Sequence, residues 1–110
     1  MIYLRIYAVA LDVARRLAGE AKRIGRFDRK LADQLRRAST SVVLGIAEGS
    51  SSRGGNKTLR YSEAMGSARE ALACLQLAVA VGYVDDIDAK LADDIDRVVA
   101  TLYKLTTRAG

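Results

Sequence analysis

The chain has 110 residues, a mass of 11.9 kDa, 28% charged residues and a formal net charge of +5. It contains no His, no Pro, no Trp and a single Cys. One domain with one core fits that length. Without His there is no His-based acid or base, no Ser-His-Asp triad and no usual zinc or di-iron site. A lone Cys excludes an internal disulfide framework, and a reducing, cytoplasmic setting is expected. No signal-type apolar run opens the chain. The longest apolar stretch, Ala71 to Val84, falls short of the roughly 20 residues that span a bilayer. Half of the residues are apolar and none is Pro, which favours long helices over turn-rich strands.

Charge is uneven along the chain. Residues 1–60 hold 13 Lys+Arg against 5 Asp+Glu, whereas residues 61–110 hold 5 against 8. Such asymmetry points to a polyanion-binding side or to pairing of unlike surfaces, with an ordinary solvated surface as the plain alternative.

Four helices are predicted. The first runs from about Ile2 to Arg23, with Ile6, Val9, Val13 and Leu17 as its apolar stripe. Tyr3 and Tyr7 lie four apart on it and could stack on bases, although packing is the simpler reading. Asp28 is placed to N-cap the second helix, about Arg29 to Glu48, whose seam is Leu31, Leu35, Ala38, Val42 and Gly45. Arg29 and Arg36 share one side of it, as do Lys30 and Arg37. Gly49 is read as its stop and Ser50–Gly55 as a flexible loop. That loop faintly resembles a phosphate-binding loop, but its register is wrong and it follows a helix.

The third helix spans about Lys57 to Val81, with Met65, Ala68, Leu72, Leu75 and Val79 as its stripe. Its second half is apolar nearly all round, which predicts cover from another subunit. Cys74 lies there and is expected to be buried and inert. Gly66 and Ser67 predict close approach of a neighbouring helix. Gly82 ends the helix. The fourth runs from about Asp86 to Thr107, with Asp85, Asp86 and Asp88 at its positive end and Lys104 and Arg108 near its negative end. Matched lengths and short connections predict an all-α, up-down-up-down antiparallel four-helix bundle over residues 1–110.

Leu35-Arg36-Arg37-Ala38, Ser41-Val42 and Ile46-Ala47-Glu48-Gly49 occur in that order, followed by Gly66-Ser67-Ala68-Arg69-Glu70 and Gly82-Tyr83. Over essentially the whole chain this resembles the 23S rRNA intervening-sequence proteins. The family commonly has Asn before Ile-Ala-Glu-Gly; Gly45 stands there, so that amide is missing. The resemblance implies a homo-oligomeric ring, commonly a pentamer, with a basic surface; a non-enzymatic protein is expected. It also implies a relation to accessory variability proteins of diversity-generating retroelements, which bind a reverse transcriptase and its template RNA.

The candidate nucleic-acid-binding residues are Arg15, Arg16, Lys22, Arg23, Arg36, Arg37, Arg53, Lys57 and Arg60. Phosphates need several positive points, and the planar Arg fork suits them. Glu48 and Glu70 are assigned as structural ion-pair partners of Arg36 or Arg37, and Glu63 joins them near the same turn. No metal and no cofactor are expected.

Overall fold

The computed structural model describes the backbone of residues 2–109 and the side chains of residues 5–107. The side chains of Tyr3 and Arg108 lie outside those described. Four α-helices follow one another: α1 (Ile2–Ile24), α2 (Arg29–Ser51), α3 (Gly54–Ala80) and α4 (Ala89–Ala109). Each packs on its sequence neighbours, and α4 closes the square against α1. The connections are short, so consecutive helices run antiparallel. The bundle measures 42 × 23 × 19 Å.

Its core is the expected stripes with small changes of register. From α1 come Ile6, Ala10, Val13, Leu17, Ala21 and Ile24; from α4 come Leu91, Ile95, Val98 and Leu102. Ala10 takes the place predicted for Val9, which is half-buried like Tyr7 and packs on the core edge. Helix α2 buries Leu31, Leu35, Ala38, Val42, Ile46 and Gly49. On α3 the buried line is Tyr61, Ala64, Ala68, Ala71, Leu75 and Ala78, while Leu72 and Val79 are only half-buried. Alanine on the inner side lets α3 approach α2 closely.

That approach explains two glycines. A Cβ at Gly45 would lie 2.8 Å from the Ala64 Cβ, and one at Gly49 would lie 2.5 Å from the Tyr61 ring. Both distances are far inside van der Waals contact. Gly45 therefore marks a helix crossing where any side chain collides. Gly66, expected to have this role, has open space at its Cβ position and is exposed.

Two predicted breaks move. Gly49 is no stop, because α2 continues to Ser51. The predicted flexible loop is largely helical and shrinks to Ser52 and Arg53. The serine run finishes the helix instead. Ser50 Oγ donates to the Ile46 carbonyl at 2.7 Å, Ser51 Oγ to Glu48 at 3.1 Å and Ser52 Oγ to Glu48 at 2.7 Å. The Glu48 carbonyl is one that the helix end leaves without an intrahelical partner, whereas Ser50 adds a second bond to the Ile46 carbonyl one turn back. Helix α4 begins at Ala89, three residues after the expected start, with Asp88 accepting from Leu91 N–H at 2.9 Å. The end of α3 does conform: Gly82 has φ +85° and Tyr83 N–H donates to the Ala78 carbonyl at 2.9 Å.

Candidate nucleic-acid interface

The nine candidate cations divide into three groups. Arg16 is withdrawn from solvent. Its side chain is 20% exposed and holds Asp94, itself 8% exposed, across the α1–α4 seam. It also meets Asp12 at 2.9 Å. A guanidinium committed to two carboxylates is not free for phosphate, so Arg16 leaves the candidate set. Asp94 also accepts from Lys90 at 3.1 Å. The hydrogen bond from Arg16, then that from Lys90, hold its carboxyl below the usual carboxylate range.

Four more are tied to neighbours at the surface. Arg15 meets Asp12 at 2.8 Å, Arg23 meets Glu20 at 3.1 Å and Arg36 meets Asp33 at 3.2 Å. Arg60 sits between Glu63 at 3.1 Å and Glu48 at 3.6 Å. Exposed pairs of this kind are worth about 0–1 kcal/mol and exchange readily for another anion. Glu48 and Glu70 do not hold Arg36 or Arg37. Glu48 reaches Arg60 across α2 and α3, and Glu70 accepts from Gln34 Nε2 at 3.5 Å. The helical register decides this: Arg36 and Arg37 lie more than two turns from Glu48, whereas the tight α2–α3 corner sets Arg60 opposite it. Lys22, Arg37, Arg53 and Lys57 have no carboxylate partner among the described residues. The Lys57 ammonium lies 5.9 Å from the Tyr61 ring centre.

These residues do not form one patch. Arg53, Lys57 and Arg60 surround the α2–α3 corner. Lys22, Arg23 and Arg36 lie toward the α1–α2 turn; from Arg36 to the end of α2 at Ser51 is about 22 Å at 1.5 Å per residue.

Hollows occur on both sides, but the one at the α2–α3 corner is lined by Glu48 and Glu63 as well as Arg60, whereas the one at the α1–α2 end has no carboxylate in its lining. Lys22, Gly25, Arg26, Arg29, Ala32 and Arg36 line a hollow of about 320 Å³. Arg26 and Arg29, like Lys22, have no carboxylate partner among the described residues. The sequence reading omitted both. Arg29 had a signal in its seven-residue spacing from Arg36; Arg26 had none, because its position depends on the path of the turn.

That path is fixed by several contacts. Gly25 N–H donates to the Ala21 carbonyl at 2.8 Å and Asp28 N–H to Ile24 at 2.9 Å. Asp28 Oδ1 then caps α2 by accepting from Leu31 N–H at 2.9 Å, as its position predicted. Asp28 Oδ2 accepts from the Tyr83 hydroxyl at 3.3 Å. Phe27 stacks on Tyr83 with ring centres 5.5 Å apart. The α3–α4 connection thus braces the α1–α2 turn. Burial, then the Asp28 charge, push the Tyr83 hydroxyl pKa above its ordinary value.

Among the described residues no three His, Cys, Asp or Glu converge as a metal site would require. Cys74 is buried, and burial, then Glu70, raise its thiol pKa, which disfavours the reactive thiolate. No described helix is long and apolar enough to cross a membrane.

The sequence profile described as 23S rRNA-intervening sequence protein matches residues 3–104. The chain belongs to this family. A crystal structure of a protein of unknown function from the S23 ribosomal protein family of Bacteroides thetaiotaomicron has the same fold. Its TM-score is 0.81 at 18% identity, over 97% of this chain and 99% of that one. No curated protein matches the sequence. In this family member the shared motifs have mostly packing roles. Leu35, Ala38 and Ile46 are core, Gly49 receives Tyr61, and Tyr83 braces the α1–α2 turn.

Proposed function

We propose that this bundle is a non-enzymatic, self-associating protein of the cytoplasm that holds RNA, or another nucleic acid, by charge. The observation that carries this reading is the hollow where Lys22, Arg26 and Arg29 converge without carboxylate partners among the described residues. Adjacent uncompensated cations repel one another, and an incoming phosphate relieves that repulsion while releasing counterions. Arg37 and, at the far corner, Arg53 and Lys57 would add further phosphate contacts.

Self-association strengthens the effect. Leu11 and Leu44 are about half exposed beside a groove between α1 and α2 that Ala14, Ala18 and Val43 also line. Leu77 and Val81 are similarly exposed on the apolar end of α3. Copies joined through such faces into a ring, a pentamer on the family resemblance, would repeat the hollow and bind multivalently.

Fluorescence anisotropy of a labelled RNA, titrated at rising salt, tests the reading. Affinity should fall steeply with salt, and R26E/R29E should weaken binding at least tenfold, as expected for losing several phosphate contacts. Light scattering should give a mass above one chain. Salt-insensitive binding, or no binding in dilute buffer, would overturn the proposal.

A further inference from the structure

The α1–α2 turn carries an aromatic ring as well as charge. Phe27 is 64% exposed, the most of any large apolar side chain among the described residues. One face of its ring is covered by Tyr83, with the planes 6° from parallel. Tyr83 is itself held by Asp28, and Phe27 N–H donates to the Ile24 carbonyl at 2.9 Å. The backbone of Phe27 is thus held and its ring is steadied by the stack, which lessens the freedom to be lost on binding. The residue before Phe27 and the second residue after it, Arg26 and Arg29, both line the basic hollow.

We propose that this turn binds an unpaired nucleotide, with the base stacked on the open face of Phe27 and the adjoining phosphate in the hollow of Lys22, Arg26 and Arg29. The inference rests on the nucleic-acid reading above and specifies its ligand. A base inside a duplex is stacked on both faces and has none to offer the ring. An unpaired base has, and base–aromatic stacking tolerates any sequence. Charge sets the direction of the strand. On the α3–α4 side of the same end, Asp85 and Asp86 are exposed with no cation partner among the described residues. They repel phosphate, which leaves the α1–α2 side as the course for the backbone. Asp33 beside Arg36 and Glu20 beside Arg23 are already compensated.

The test compares a labelled short oligouridylate with a blunt duplex of equal length, by anisotropy, on the full chain and its variants. Wild type should prefer the single strand. F27A and F27L should each weaken single-strand binding roughly tenfold or more, while duplex binding stays unchanged. F27W should retain it. R26E/R29E should weaken both probes. Circular dichroism melts establish that each variant is folded, and F27L preserves apolar bulk if F27A does not fold. Equal single-strand affinity of F27L and wild type, with R26E/R29E still impaired, overturns the stacking site and leaves the charge reading standing. Failure of wild type to bind either probe overturns both. A change in oligomer mass on F27L at unaltered single-strand affinity assigns Phe27 to a protein contact and likewise overturns the inference.

Discussion

The two connections of α2 make a useful pair. At its start, Gly25–Asp28 leads in from α1; at its end, Ser52 and Arg53 lead out to α3. Both reverse the chain, both contain or adjoin glycine, and both carry several cations. At the α2–α3 corner, however, the helices are pressed together through Gly45 and Gly49, and much of the polar capacity is taken up internally, though Arg53 and Lys57 keep no carboxylate partner among the described residues. Serine hydroxyls fold back onto α2, and Arg60 is shared by Glu48 and Glu63. At the α1–α2 turn Lys22, Arg26 and Arg29 line a hollow with no carboxylate partner among the described residues, and only Arg36 of its cations is paired, with Asp33. Two basic connections thus produce a closed corner and an open one. What separates them is whether a carboxylate lies within reach, which depends on helix register and spacing.

The sharpest way to break this contrast is to force the closed corner open. G49A places a methyl against the buried Tyr61 ring and should cost about 1–3 kcal/mol. At about 4–8 °C per kcal/mol, the fall in melting temperature is readily measured. The cost should shrink in a Tyr61→Leu background, since the two residues touch. A full-sized cost in that background would show that the collision lies elsewhere.

A comparable effect is expected at the α1–α4 seam, which belongs to neither end. D94N removes the anion from Arg16 and should cost about 1.5–3 kcal/mol near neutral pH. Because the folded pKa of Asp94 is depressed, its contribution is present above the unfolded value of about 3.9 and is lost as pH falls through the folded value. Melting temperatures taken across the acid range should therefore decline less steeply in D94N than in wild type.

Next in size is the contrast in binding. R53E/K57E at the closed corner should weaken RNA binding less than R26E/R29E at the hollow, with melting temperatures little changed in either. A larger loss for the first pair in the anisotropy titration would move the interface to the other end.

The smallest effect has the opposite sign. Gly66 has open space at its Cβ position within α3, so G66A should stabilise by about 0.5–1 kcal/mol, visible as a raised denaturation midpoint. The same chemical change, glycine to alanine, then raises stability at one site and lowers it at another.

Much of this architecture was legible in advance. Leu31, Leu35, Ala38 and Val42 recur at helical spacing, and Asp28 precedes them as a cap, because periodicity and capping are local properties of the chain. The serine run misled because a polar, low-complexity stretch reads as loop, whereas its hydroxyls bond to carbonyls of the preceding turn. The candidate interface was legible only as a surplus of cations. Arg16 could not be separated from Lys22, since the difference is Asp94, 78 residues away. Arg26 was overlooked because only the Phe27–Tyr83 stack, joining two connections distant in sequence, shows where the turn lies.

By itself the sequence determined four helices, their buried faces, an antiparallel bundle and a basic first half, all of which follow from spacing and composition within single helices. The tertiary structure alone decided which cations remain free, which glycines are obligatory and where an aromatic ring faces solvent. Ion pairing, steric collision and exposure are set by distances of a few ångströms between helices, and neighbours along the chain carry no record of those distances.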